Sequence, residues 1–154
     1  MKTNRLAQVA LLLWAVTVAV LIWFFLRSRM VADTDRRAAI MVSPAERQLV
    51  LSEMRGLLAA TQGILTGASQ GDTARIAKAA RAGGMAGTAQ VYPGLMSKLP
   101  LEFKAMNMNV RHEMDQIADA AENGRPTAEL LKMTSDAMEK CVACHAVWQL
   151  EANK

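Results

Sequence analysis

Cysteine is nearly absent: the 154 residues hold two, Cys141 and Cys144, both inside the pentapeptide CVACH close to the C-terminus. Two thiols allow at most one disulfide, and that pairing would leave the adjoining His145 without a role. Runs of alternating β-branched residues are missing too, as are internal repeats and low-complexity segments, which excludes a sheet-based or repeat fold and points to an all-α chain. A surplus of one charge is missing where it would matter. The chain carries a net charge of +4, but residues 1–37 hold six Lys/Arg against two Asp/Glu, and residues 38–154 hold twelve of each. The basic excess belongs to the N-terminal segment, no Lys/Arg patch is interleaved with aromatics downstream, and a nucleic-acid partner is excluded.

One thing the chain has in quantity is apolar sequence near its start. From Leu6 to Leu26 it reads LAQVALLLWAVTVAVLIWFFL, 21 residues without a charge, long enough as a helix to cover about 30 Å of hydrocarbon. A cleavable signal peptide has a shorter apolar region and a small-residue cleavage site directly after it, whereas Arg27, Ser28, Arg29 and Met30 follow here. The expectation is an uncleaved single-span anchor over 1–27, a linker over 28–42, and one domain over 43–154. Lys2 and Arg5 on one flank balance Arg27 and Arg29 on the other, so basic-residue asymmetry does not set the orientation.

The domain opens with SPAE, Ser43 to Glu46, a capping box with Pro at the first helical position. The helix it starts has Val50, Met54, Leu57, Thr61 and Leu65 on one stripe, with Leu51 and Leu58 beside it, and QGD at 70–72 ends it. A shorter helix follows from about Thr73 to Ala82, stopped by Gly83-Gly84, and a long loop leads to Pro100. A third helix has Phe103, Met106, Val110, Met114, Ile117 and Ala121 on its buried stripe. A fourth, from Pro126 or Thr127 almost to the C-terminus, has Leu131, Thr134, Met138, Cys141, His145 and Trp148 on its stripe. Four helices joined by short turns and one long loop predict an antiparallel four-helix bundle.

C-x-x-C-H is the attachment signature of haem c, because two thiols one helical turn apart reach the two vinyl groups and the adjacent His is delivered to the iron. Zinc fits less well, since a structural site wants four ligands and adjacent Cys and His side chains diverge on a helix. A thioredoxin-like dithiol needs a βαβ setting and a helix N-terminus, and this motif lies near a helix C-terminus. Covalent haem also fixes the orientation: attachment takes place outside the bacterial inner membrane, so the N-terminus is cytoplasmic and the bundle periplasmic.

A bundle with C-x-x-C-H near the end of its last helix resembles the class II cytochromes c, the cytochrome c′ family, over about residues 43–150. Cys141, Cys144 and His145 carry the resemblance, and Arg47 matches the family's usual Arg in the first helix. Trp148 stands in the aromatic place after the motif, and Gln149 where the family commonly has Lys or Arg. The resemblance implies one haem c with its iron on His145, and an electron carrier rather than an enzyme. Low-spin members supply a distal Met from the first helix, while gas-binding members leave the iron open beneath an apolar residue. Met54 is the expected distal ligand; Leu51 over an open iron that binds NO or CO is the alternative. His112, off the buried stripe beside Asp115, is a rival ligand. The resemblance further suggests Arg47 at a haem propionate, with Leu51, Leu58, Phe103, Met138 and Trp148 as haem walls. The expected partners are the membrane and redox proteins. A homodimer, or a haem subunit of a larger membrane complex, fits the same sequence.

Overall fold

The computed structural model describes residues 4–26, 35–87 and 93–153. The chain divides into two units, Met1–Asp35 and Arg36–Lys154. In the first, helix α1 runs from Asn4 to Leu26 and takes in the whole charge-free stretch. Thr17 donates its hydroxyl to the Leu13 carbonyl at 2.9 Å, so the helix satisfies this polar group internally. Among the described residues no helix is long and apolar enough to cross a membrane.

The second unit is mostly helical. The capping box forms as expected: the Glu46 amide donates to Ser43 Oγ at 3.3 Å and the Ser43 amide to Glu46 Oε2 at 2.7 Å. With Pro44 at its first position, α2 runs over Pro44–Gln70 and closes on Gly71, whose φ of 66° is the left-handed conformation of a helix C-cap. Asp72 caps the next helix, α3 (Thr73–Gly83), by accepting from the Arg75 amide at 2.9 Å. The expected loop holds a 3-10 turn at Met85–Gly87 and a short helix, α4 (Pro93–Lys98). Helices α5 (Leu101–Glu122) and α6 (Thr127–Val147) complete the helical part. The stripe expected on the third helix is the face α5 buries, with Met106 at its margin.

Two strands were not expected. Ala38–Val42, inside the expected linker, forms β1, and Trp148–Ala152, expected as the end of the last helix, forms β2. They pair in parallel with Ala38 opposite Trp148 and Val42 opposite Ala152, although the whole helical domain lies between them. An isolated pair of strands is marginal in water. This one is held because Ile40 and Val42 alternate inward and are buried at 4% and 0% exposure, and because Arg47 Nε donates to the Leu150 carbonyl at 3.1 Å.

Packing is extensive between α2 and α3, α3 and α5, and α5 and α6, whereas α2 and α6 meet over a short stretch. Two apolar cores result. The first joins Ile64, Ile76, Met114, Ile117 and Leu130 of the four longer helices. The second lies where α3 no longer reaches and β1 and α4 take its place: Ile40, Val42, Val50, Leu95, Leu99 and Phe103, with Met54, Cys144 and Trp148 against them.

The expected stripes hold in part. On α2, Val50 and Thr61 of the expected stripe are buried and Met54 and Leu57 half-buried, while Leu65 is exposed and Ala60, Ile64 and Gly67 are buried beside the stripe. On α6 the buried positions are Leu130, Thr134 and Ala137, and Leu131 faces out. The inward face of α6 continues through the half-buried Cys141 and Cys144, and His145 is exposed at its edge. Period 3.6 admits both faces, and the polar imidazole sits on the one nearer water.

Candidate functional site

Beside the second core lies a cleft of about 230 Å³. The start of α2 brings Arg47, Leu51 and Met54 to it, and α5 brings Phe103. The end of α6 brings Cys144 and His145, β2 brings Trp148, Gln149 and Leu150, and Arg37 enters just ahead of β1. The residues expected to face each other across an iron, His145 on one side and Met54 or Leu51 on the other, therefore line a single opening. Phe103 and Trp148 meet edge to face with ring centroids 6.3 Å apart and planes at 88°, giving the cleft a stiff aromatic wall.

Neighbouring ion pairs fix the elements that carry these side chains. Arg111, 3% exposed, donates Nη2 to Glu53 Oε2 at 2.5 Å and Nε to Asn107 Oδ1 at 3.1 Å, which ties α5 to the residue before Met54. Lys140, the residue before Cys141, pairs with Glu113 of α5. Arg37 Nη1 donates to the His145 carbonyl at 3.2 Å.

The thiols are free and half-buried. Burial pushes both above the usual thiol range, and at Cys144 the neighbouring Cys141 adds to the rise. Both stay protonated near neutral pH, the opposite of the lowered thiol that makes a redox dithiol reactive. Among the described residues, no three His, Cys, Asp or Glu side chains are placed to hold a metal ion.

Not every expected residue comes to the cleft. Leu58 and Met138, expected as haem walls, are 69% and 42% exposed and lie outside its lining; on α6 the buried face runs through Leu130, Thr134 and Ala137 instead. His112 is exposed on α5 and does not line the cleft. Cys141 lies one turn before Cys144 and is not among the lining residues. Arg37, Gln149 and Leu150 were not expected there: each is placed by the pairing of β1 with β2, which no local sequence signal announces.

Haem c would find matching chemistry here: an imidazole and a thioether on facing elements, one thiol in the wall and the other a turn away, an aromatic side, and guanidinium groups at the rim for carboxylates. The volume is below the range of about 300–1,000 Å³ usual for ligand pockets, so a macrocycle would protrude from the mouth or part the walls. No protein-family model, curated protein or solved structure matches the chain.

Proposed function

We propose that the protein is a membrane-anchored c-type cytochrome of the inner-membrane periplasmic face, a helical bundle that carries single electrons on one haem c. The observation that supports this most is the cleft itself: the motif residues Cys144 and His145 open onto the same space as Met54, Leu51 and Arg47, which lie about a hundred residues away. A chance C-x-x-C-H has no reason to face such a set.

In this reading Cys141 and Cys144 would hold the group covalently through their sulfurs. When bound, the group supplies a one-electron couple. His145 and Met54 would hold the iron, the Phe103–Trp148 wall would exclude water, and Arg47 would offer a guanidinium to a carboxylate. The open rim leaves an edge for a redox partner to reach. α1, charge-free over its length apart from Arg5, is the anchor, and tethering keeps the domain at a high local concentration beside membrane partners.

The test is covalency. Expressed in a cell with c-type maturation, the chain should keep its haem through denaturing electrophoresis, and Cys141→Ala with Cys144→Ala should abolish the stain. A native chain that runs free of haem contradicts the reading.

A further inference from the structure

Arg37 is the cleft residue that no motif contains. It sits immediately before β1, and the register that places Ala38 opposite Trp148 and Ala39 opposite Gln149 brings it beside the last turn of α6. There Nη1 donates to the His145 carbonyl at 3.2 Å, and the Arg37 carbonyl accepts from Gln149 Nε2 at 3.4 Å. The His145 carbonyl is one of the final four of α6 (Thr127–Val147), which have no partner within the helix, and a cation there also meets the negative end of the helix dipole. From Cys141 to Asn153 the chain has no Lys or Arg and one acid, Glu151. Positive charge in the cleft therefore comes from Arg37, just ahead of β1, and from Arg47 at the start of α2, and of the two it is Arg37 that bonds the His145 turn.

We propose that Arg37 is a positioning residue of this cleft: it holds the His145 turn and places a permanent positive charge beside it, raising the reduction potential of the haem. The inference rests on the haem reading above. Reduction adds one electron and no proton or bond, so a nearby cation stabilises the reduced state over the oxidised one. A guanidinium keeps its charge over the whole working pH range.

The experiment is a potentiometric titration, with redox mediators, of the full-length protein extracted in detergent. Arg37→Gln keeps a donor for the His145 carbonyl but removes the charge. It should lower the ratio of reduced to oxidised protein at a fixed potential by about three- to tenfold, about 30–60 mV at 59 mV per tenfold for one electron. Arg37→Lys should restore that ratio to within about twofold of the native protein, and Arg36→Gln at the exposed neighbour should leave it there. A potential unmoved in Arg37→Gln, or equally low in Arg37→Lys, overturns the proposal. If Arg37→Gln does not accumulate, Gln149→Lys puts a second cation on the same rim and should raise the potential; no rise overturns the proposal. A native chain without covalent haem overturns the parent reading and this one with it, whereas a normal haem with an unmoved potential overturns this one only.

Discussion

Met54 and Leu51 stand less than one turn apart on α2 and both line the cleft, so in the proposed haem reading one side chain separates electron transfer from gas binding. With Met54 as sixth ligand, Met54→Ala should turn a low-spin ferrous spectrum into a high-spin one that responds to carbon monoxide, while Leu51→Ala stays low-spin; an unchanged spectrum in Met54→Ala removes Met54 from the iron. At the other end of the capping box, the Lys98 ammonium, with help from the Ser43 amide and hydroxyl, holds the Glu46 carboxyl down to about 2. The folded state thus binds fewer protons than the unfolded state between the ordinary carboxylate range and pH 2, and stability falls as pH drops through that window. Glu46→Gln should flatten this part of an acid-unfolding profile, and an identical slope in the variant would show that the carboxylate is not coupled to folding. Residue chemistry of this kind was legible in the sequence. SPAE announces its cap, and CVACH announces two thiols and an imidazole at a helix end, because each signal is local.

At the scale of elements, α2 shows how one substitution changes sign with position. A Cβ at Gly67 would lie 2.8 Å from Ile76 Cγ1 and 2.9 Å from the Ile76 amide nitrogen, against α3, whereas a Cβ at Gly56 meets nothing within 4 Å. Gly67→Ala should destabilise by about 1–3 kcal/mol through overpacking, and Gly56→Ala should stabilise by about 0.5–1 kcal/mol through helix propensity. Chemical denaturation of the two variants checks both, and equal effects would contradict the close α2–α3 approach. Helix boundaries at Ser43, Gly71, Asp72 and Gly83 could be read from caps and breakers. The strands could not: β1 is AAIMV and β2 is WQLEA, each too short for a periodic signal, and each is a strand only because the other lies beside it. The same limit explains why Leu58 and Met138 are exposed, since a helix with apolar residues on more than one face does not say which side its neighbours cover.

Across the whole molecule, the two cores divide the domain by task. The first is built from the long helices and holds Ile64, Ile76, Met114, Ile117 and Leu130 at 0% exposure. The second is closed by two short strands and a six-residue helix, and it borders the cleft. The anchor reading belongs to this scale as well: after cell lysis the full chain should stay in the membrane fraction through alkaline carbonate washing and be released by detergent, and release by the wash would contradict a span. The most direct test of the central claim is the visible spectrum of the reduced, detergent-extracted protein before and after carbon monoxide. A covalently held haem with a sharp low-spin α band that the gas leaves in place is the predicted result. A broad high-spin spectrum that shifts with the gas, or no haem band at all, would contradict it.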